Sequence, residues 1–432
     1  MNNAQHNLKV YLLCRYAKDN GLYANWIDAL PYETCIVEEC ASDWLPPDDC
    51  GLVVTHEHYR WEEINALRRI YEQQLVPILI LADGVLEYRN TWDNPTIPSG
   101  SIYQPLMGHK IACIGSSSAR LIEAWGNGGK VEVVGLPRLD ELIGEQPDLP
   151  IENNILITTA TTPAFTDDQR QKVVESIRDL KAAFDEGLEF DGKPVSATWR
   201  LTDGLYAEIE MEDPGEDQPM LLDAIRNSRA VITTPSTIYL ESALLDRPTA
   251  ILDYSNSPAM APSVWTIGSQ ANIQNVVSEL LRPPAAKKWL QDFYLHDNLA
   301  CQSPASARMV QLVDQMVLIG TEQRDNKKPI VLPERILDLE TLQNSYDAGA
   351  CYEDLNSSSD FQMKRLQLEL SEAVHRLGTV PRELADKNIQ ITQLQAALDE
   401  SRRRVADVRA RLFKLRKILG IGKENQKEEV AD

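Results

Sequence analysis

The stretch that decides the fold is residues 230–253, which read Ala-Val-Ile-Thr-Thr-Pro-Ser-Thr-Ile-Tyr-Leu-Glu-Ser-Ala-Leu-Leu-Asp-Arg-Pro-Thr-Ala-Ile-Leu-Asp. Residues 230–233 form a short apolar run without alternation, which is typical of a strand buried on both faces. A small polar turn follows, a helix is expected over 238–245, and a second strand begins at Thr249. This order of strand, turn, helix and strand is the repeating unit of a parallel α/β sheet.

The same rhythm extends along most of the chain. In the first part, strands are predicted at 10–14, 35–37, 51–55, 77–82, 111–114 and 131–134, with helices near 61–73 and 117–125. In the second part, strands are predicted at 155–159, 197–201, 230–233 and 249–254, with helices at 167–184, 221–228, 238–245 and 273–281. The sequence therefore predicts two doubly wound, Rossmann-like α/β domains that face a cleft, with ligands at the carboxyl ends of the strands.

Composition and charge set the expected domain borders. A polar, proline-bearing stretch at 145–150 suits a linker, so we expect one domain over 1–144 and a second over 151–320, closed by helical residues 284–318. Residues 321–360 are predicted to be a further linker, with a polar hinge at 347–360. A coiled coil with a basic, amphipathic end is expected over 361–420, and a disordered tail over 421–432.

A heptad repeat carries the coiled-coil prediction. From Met363 to Leu419 all nine a positions and six of the eight d positions are apolar. Pro381 is expected to interrupt the helix, because proline removes a backbone hydrogen bond and clashes with the preceding turn.

Net charge is distributed unevenly. The chain carries -22, yet residues 401–417 hold eight basic side chains against one acidic side chain, or +7. The segment could dimerise the chain as a coiled coil, lie on an anionic membrane through 401–419, or do both, and we favour both. We therefore expect a homo-oligomer with peripheral membrane contact.

Several classes of protein are disfavoured. The acidic balance argues against a general nucleic-acid binder, and no apolar run approaches the roughly 18 residues of a membrane-spanning helix. The N-terminal residues lack a secretory signal pattern, so a cytoplasmic location is expected, with the inner face of the membrane as an alternative. No P-loop or dinucleotide fingerprint is present, so neither ATP nor NAD is indicated and no cofactor is expected.

The seven cysteines are scattered, which indicates free thiols. Cys35, Cys40 and Cys50 with His56 and His58 could be drawn as a metal site, but the paired spacing of structural zinc is absent. We predict no metal site.

Hydroxyl side chains mark the predicted binding edge. Ser236 and Thr237 lie between a strand and a helix, where backbone N–H groups and hydroxyls favour a phosphate, although either residue could simply cap the helix. Glu241, one helical turn later, is expected to face the cleft, where it could accept hydrogen bonds from a ribose. The Thr-rich stretch 158–162 ends another strand and could add hydroxyl donors to the phosphate or form a solvated loop.

Two segments resemble the GT-B glycosyltransferases and the related sugar-nucleotide 2-epimerases and CDP-glycerol glycerophosphotransferases. The first is Thr-Thr-Pro-Ser-Thr at 233–237, with Glu241 and then Asp-Arg-Pro at 246–248. The second is residues 130–140, which are similar to the interdomain pattern Val-x-Gly-Asn-Pro-Arg-x-Asp, with Leu136 in place of Asn. The resemblance covers roughly residues 1–320 and implies a GT-B-like pair of domains, the first for the acceptor and the second for the donor.

The resemblance also implies roles for individual residues. The donor site would consist of Thr159, Thr161, Pro235, Ser236, Thr237 and Glu241. Arg200 stands where the glycerophosphotransferases carry a Lys-x-His-Pro element and would neutralise the leaving diphosphate, although the His of that element is missing. Asp83 stands where they carry the His of Trp-His-Gly and would be the general base. Independently of the resemblance, His56 and His58 follow the end of another predicted strand, and either could be a rival base.

The polar and aromatic loop that follows Asp83 suits a sugar or another acceptor, although a solvated loop remains an alternative. Its predicted acceptor-binding residues are Gly84, Glu87, Arg89 and Asn94.

The resulting expectation is a metal-independent glycosyltransferase that moves a sugar from a nucleotide-sugar co-substrate to a hydroxyl of a glycan or lipid-linked acceptor, as in surface polysaccharide synthesis. No Asp-x-Asp occurs in a donor loop, which agrees with a metal-independent reaction. Alternatives of the same fold are a CDP-glycerol-type glycerophosphotransferase and a sugar-nucleotide 2-epimerase. An alternative of another class is a catalytically inactive coiled-coil scaffold.

Overall fold

A computed structural model describes residues 8–14, 21–23, 25–97, 102–104, 106–202, 204–338 and 359–418. Within these ranges we number thirteen strands and ten α-helices. The predicted tail at 421–432 and most of the predicted hinge at 347–360 lie outside the described residues.

The first six strands form one parallel sheet. They are β1 (Lys9–Leu13), β2 (Glu33–Val37), β3 (Cys50–Thr55), β4 (Ile78–Leu81), β5 (Lys110–Cys113) and β6 (Val131–Val133), with helices α1 (Trp61–Glu72) and α2 (Ser116–Ala124) between them. The strand order is β2-β1-β3-β4-β5-β6, and every neighbouring pair is parallel. All residues of β3 and β4 are buried, as continuous apolar runs require when both faces of a sheet are covered.

A second parallel sheet follows. Its strands are β7 (Asn154–Thr158), β10 (Ser196–Arg200), β11 (Ala230–Thr233), β12 (Thr249–Leu252) and β13 (Trp265–Ile267), with the small hairpin β8 (Glu189–Phe190) and β9 (Lys193–Pro194) outside the sheet. Its helices are α3 (Asp167–Asp185), α4 (Leu205–Glu208), α5 (Leu221–Arg226), α6 (Ile238–Leu244) and α7 (Ile273–Leu281). The order is β10-β7-β11-β12-β13, so the chain changes direction across the sheet between β7 and β11. Such a switch point is where doubly wound sheets bind ligands.

We call the structures built on the two sheets the first lobe and the second lobe. The interdomain segment 135–140 connects them in a fixed conformation. Gly135 has a φ of +96°, and a Cβ there would lie 2.6 Å from the Ala300 carbonyl oxygen. Further along, the Asp140 carboxylate accepts hydrogen bonds from the backbone N–H groups of Ala305 and Ser306, at 2.7 and 2.9 Å.

Those two N–H groups begin a long helix, α9 (Ala305–Asp325), which follows α8 (Ala285–Asn298). The sequence predicts that residues 284–318 close the second domain, but the structure places α9 against the first lobe. Tyr32 donates a hydrogen bond to Asp314 at 2.7 Å, and Arg324 donates one to the Cys50 carbonyl at 2.8 Å. One apolar cluster accordingly contains residues of both lobes.

The chain after α9 is fixed to the first lobe by a buried ion pair. Lys110 and Glu132 lie 2.7 Å apart and are almost fully buried. Lys110 also donates to the Glu334 carbonyl, while Glu132 accepts from the backbone N–H groups of Ile336 and Leu337. Part of the predicted linker at 321–360 is therefore packed structure.

The last described element is the 60-residue helix α10 (Ser359–Ile418), which forms a compact unit of its own. The predicted interruption at Pro381 is wrong, since the helix continues through this residue. A proline removes one hydrogen bond, which a long helix can lose while keeping the bonds on either side. None of the described helices is both long enough and apolar enough to span a bilayer.

Candidate functional site

A cleft lies where the carboxyl ends of the strands in the two sheets face each other. Its first-lobe wall is formed by residues that come after β3 and β4 in the sequence, and its second-lobe wall by residues that come after β7 and β11. The first-lobe residues that line it are Tyr59, Asp83, Gly84, Val85, Glu87, Arg89, Asn90 and Asn94. The second-lobe residues are Ala160, Thr161, Thr162, Phe165, Pro235, Ser236 and Thr237. The structure therefore brings together nine of the predicted site residues, namely Asp83, Gly84, Glu87, Arg89, Asn94, Thr161, Pro235, Ser236 and Thr237.

Ser236 and Thr237 occupy the turn between β11 and α6. Ser236 Oγ accepts a weak hydrogen bond from the backbone N–H of Ile238 at 3.3 Å. Thr237 is the N-cap residue of α6 but makes no side-chain cap hydrogen bond, so neither side chain has the N-cap role that the sequence left open. Thr237 Oγ1 accepts from the backbone N–H of Val85 in the opposite lobe at 3.2 Å. Each hydroxyl can still donate its own hydrogen, for example to a phosphate oxygen.

The loop after β4 is held by its own acidic side chain. Glu87 accepts from Arg89 Nε with one carboxylate oxygen and from the backbone N–H of Asn90 at 2.7 Å with the other. Arg89 is buried and also donates to the Pro163 carbonyl of the second lobe. The chain then makes a single π-helical turn over Arg89–Asp93, a rare conformation that recurs at functional sites.

Asp83 is exposed at the start of this loop, and its backbone carbonyl accepts a hydrogen bond from Arg138 at 3.3 Å. Arg138 also lies 3.5 Å from the Glu241 carboxylate. Burial raises the pKa of Glu241, while the Arg138 guanidinium opposes the rise. Arg138 thus connects the loop that bears Asp83 to helix α6 of the second lobe.

Behind Asp83 lies a smaller polar recess, lined in part by His56, His58 and Thr91. His56 Nδ1 is 3.1 Å from the Tyr23 hydroxyl, and burial lowers its pKa against the opposing charges of Asp83 and Glu57. His58 is only 4% exposed, and burial lowers its pKa to about 4. Because His58 is deeply buried, it is less accessible to an acceptor substrate than the exposed carboxylate of Asp83.

Besides His58, three predicted residues lie away from the cleft lining. Thr159 is buried beneath it, and its hydroxyl is hydrogen-bonded to that of Thr202 at 2.8 Å. Glu241 faces Arg138. Arg200 donates to Gln218 and to the Pro219 carbonyl at 3.1 and 2.7 Å, at the edge of the second sheet.

Two residues that organise the cleft were given no role by the sequence reasoning. Arg138 belongs to the Gly-Leu-Pro-Arg motif, which was the available signal, but its partner Glu241 lies 103 positions away. Thr234 accepts from the backbone N–H of Ala160 at 2.8 Å and so joins the ends of β7 and β11. Its position within Thr-Thr-Pro-Ser-Thr was the only available signal.

A second, more apolar cavity lies on the other side of the contact between Val85 and Thr237. It extends from Leu86 and Tyr88 to the loop around Met260, and it shares Pro235 and Ser236 with the cleft. Over the ranges that the structure covers, no group of three or more His, Cys, Asp or Glu side chains is arranged to hold a metal ion.

No family model and no curated protein matches the chain. Solved structures with a similar fold include a variant of the wall teichoic acid polymerase TagF, at 12% identity and a TM-score of 0.45 over 74% of this chain and 90% of that one. The S. aureus MnaA-UDP complex has 11% identity and a TM-score of 0.48 over 72% and 96% of the two chains. The Methanocaldococcus jannaschii UDP-GlcNAc 2-epimerase with UDP-GlcNAc and UDP has 11% identity and a TM-score of 0.46 over 71% and 99%.

The fold itself rests on the chain's own geometry: two parallel, doubly wound sheets whose carboxyl ends face one cleft, followed by a long C-terminal helix. The chain has a GT-B-like fold.

Proposed function

We propose that this chain is a glycosyltransferase that moves a sugar from a nucleotide-sugar donor to a hydroxyl acceptor. The observation that carries the proposal is the composition of the cleft. An exposed carboxylate, Asp83, lies on the first-lobe wall, and the hydroxyls of Thr161, Ser236 and Thr237 lie on the second-lobe wall. A base and a set of phosphate-binding donors on opposite walls of one cleft suit a transfer between two bound substrates.

In this proposal the donor diphosphate binds to the second lobe at its switch point. The hydroxyl oxygens of Ser236 and Thr237 already accept hydrogen bonds from backbone N–H groups. Each hydroxyl therefore still has its own hydrogen to donate to a ligand. Thr161 adds a hydroxyl from the end of β7. Such hydrogen bonds to an anion are stronger than bonds between neutral groups.

The proposed chemistry is a direct displacement at the anomeric carbon. The acceptor oxygen forms the new C–O bond while Asp83 takes its proton, and the bond from the anomeric carbon to the diphosphate oxygen breaks. The nucleoside diphosphate leaves with that electron pair, and the fixed hydroxyls of the second lobe stabilise its charge. The acceptor is proposed to be a glycan or a lipid-linked hydroxyl compound.

Two measurements test the function. Thermal unfolding with UDP, GDP, CDP and CMP should reveal stabilisation by at least one nucleotide. Incubation with nucleotide sugars and with CDP-glycerol, with and without acceptor, should then give acceptor-dependent release of nucleoside diphosphate. Turnover without acceptor would indicate an epimerase, use of CDP-glycerol would indicate a glycerophosphotransferase, and no stabilisation by any nucleotide would favour an inactive scaffold.

Asp83→Asn separates catalysis from binding. We expect it to lower the transfer rate by about 10²–10⁴-fold, the usual contribution of a general base, and to leave nucleotide stabilisation unchanged. Ser236→Ala should instead weaken nucleotide stabilisation. The matched control is Asp48→Asn, which removes an exposed carboxylate outside the cleft. Full activity of Asp83→Asn would contradict the role of Asp83.

A further inference from the structure

We propose that the polar recess behind Asp83 binds a hydroxyl group of the acceptor and selects an uncharged polyol over a phosphate. This inference rests on the proposed function and names the class of acceptor. The recess is a side pocket of the cleft, because Tyr59, Asp83, Val85, Glu87 and Asn90 line both.

The inner wall of the recess includes His58, a buried histidine. His58 Nε2 lies 2.7 Å from the Ile102 carbonyl oxygen, which can only accept, so Nε2 carries the ring hydrogen. In the neutral ring Nδ1 then keeps a lone pair. Nδ1 is buried and has no hydrogen-bond partner among the described residues. Burial lowers the pKa of His58 to about 4, against the opposing effects of the Ile102 carbonyl and the nearby His56 backbone, so the neutral ring predominates near pH 7.

A buried acceptor without a partner is unfavourable, and the group that satisfies it must be a donor. A hydroxyl can donate to Nδ1, whereas a phosphate oxygen without a proton cannot. The Asp83 carboxylate at the mouth of the recess is a second acceptor. A polyol can therefore donate one hydroxyl to His58 and present a neighbouring hydroxyl to the base.

The charges of the recess point to the same class of ligand. Both carboxylate oxygens of Glu87 are already occupied by Arg89 Nε and the Asn90 N–H. No Lys or Arg occurs among the residues found to line the recess. A phosphate would therefore enter without a cation and beside the Asp83 carboxylate, which makes its desolvation costly.

Two substitutions at one position distinguish this binding role from a structural role. The shorter side chain in His58→Asn can place an amide oxygen near the position of Nδ1 but cannot reach Ile102. The longer side chain in His58→Gln can keep the donation to Ile102 but offers no acceptor at the Nδ1 position. The proposal predicts that His58→Asn retains polyol binding and that His58→Gln loses it. A purely structural role predicts the opposite: His58→Gln would retain polyol binding because it keeps the buried hydrogen bond to Ile102, and His58→Asn would lose it.

Binding can be measured by saturation-transfer-difference NMR on the full chain, with glycerol, ribitol and glycerol 3-phosphate as probes. We expect glycerol and ribitol to bind the wild-type chain better than glycerol 3-phosphate. His58→Gln should weaken glycerol binding about fivefold, as the loss of one neutral hydrogen bond implies. The matched control is His109→Gln, because His109 is another buried first-lobe histidine whose pKa burial lowers to about 4, and it lies outside the recess.

Wild-type affinity for glycerol 3-phosphate equal to or above that for glycerol would overturn the proposal, and this comparison needs no variant. Unchanged glycerol binding by a folded His58→Gln chain would also overturn it, since the recess would then hold only water. If only the inference about the recess is wrong, nucleotide stabilisation and acceptor-dependent transfer would persist. If the proposed function is wrong, both would be absent.

Discussion

At Gly84 the two lobes approach each other closely on the cleft wall. A Cβ added to Gly84 would lie 2.1 Å from Thr237 Oγ1, a distance that atoms of real side chains do not adopt. The same oxygen accepts the N–H of the next residue, Val85, at 3.2 Å. A hydroxyl proposed to bind the donor thus also fixes the loop that carries the proposed base.

We expect Gly84→Ala to separate the lobes or displace this loop, with a loss of about 1–3 kcal/mol in the free energy of unfolding and weaker nucleotide stabilisation. Thr237→Ala should remove the clash. The double variant Gly84→Ala with Thr237→Ala should therefore lose less free energy of unfolding than the sum of the losses in the two single variants. Urea unfolding of the four chains measures this coupling. Additive effects would show that Gly84 and Thr237 do not contact each other in solution.

At the residue scale, sequence reasoning succeeded where a residue's position follows from the end of a strand. Asp83 directly follows a predicted strand, Ser236 lies three residues after the end of another, and both line the cleft. It failed where a distant partner decides the orientation. Glu241 faces Arg138, which no local pattern indicates, and the Thr159 hydroxyl is used by Thr202 beneath the surface.

The elements were largely predictable because the central strands of both sheets are short apolar runs buried on both faces. Predicted and observed bounds of β11 and α7 are identical. Those of β4 differ by one residue at each end, and those of α3 by one residue at the C-terminal end. The strand β13 was missed: it has only three residues, and its central Thr266 is exposed, so it lacks the apolar run. The packing of α9 against the first lobe was also missed, because these contacts involve residues far away in sequence.

Helix α9 offers a test at the scale of an element. Asp140 accepts hydrogen bonds from the first two N–H groups of this helix, at 2.7 and 2.9 Å, and from the Ser306 hydroxyl. This caps the helix with a negative charge at its positive end. We expect Asp140→Ala to lower the free energy of unfolding by about 1–2 kcal/mol, and Asp140→Asn to lower it less.

The measurement for α9 is chemical denaturation of the full chain followed by circular dichroism. Asp325→Ala, which changes the carboxylate at the other end of the same helix, is the matched control and should have little effect. Equal stability of the wild-type and Asp140→Ala chains would rule out a stabilising cap.

At the scale of the whole molecule, the interdomain motif has separate structural tasks. Gly135 permits close approach to Ala300, Arg138 connects the Asp83 loop with Glu241, and Asp140 caps α9. The sequence resemblance identified this motif without explaining it.

Helix α10 has an apolar stripe along its heptad a positions. The eight a-position side chains from Met363 to Leu412 are between 50% and 69% exposed. Exposed apolar residues in a heptad pattern are stabilised by pairing with another helix. We therefore expect the full chain to self-associate through α10, with a solution mass that is a multiple of 48.6 kDa.

Light scattering coupled to size-exclusion chromatography tests this self-association. Ile391→Glu combined with Leu398→Glu places two charges on the a-position stripe, and we expect it to reduce the mass to that of one chain, because buried like charges would oppose pairing. Thr392→Glu combined with Ala396→Glu adds the same charge on the other face of α10 and should leave the mass unchanged. Nucleotide stabilisation should persist in both double variants, because the cleft consists of residues before α9. A wild-type mass of 48.6 kDa, or equal masses for the two double variants, would contradict pairing through this stripe.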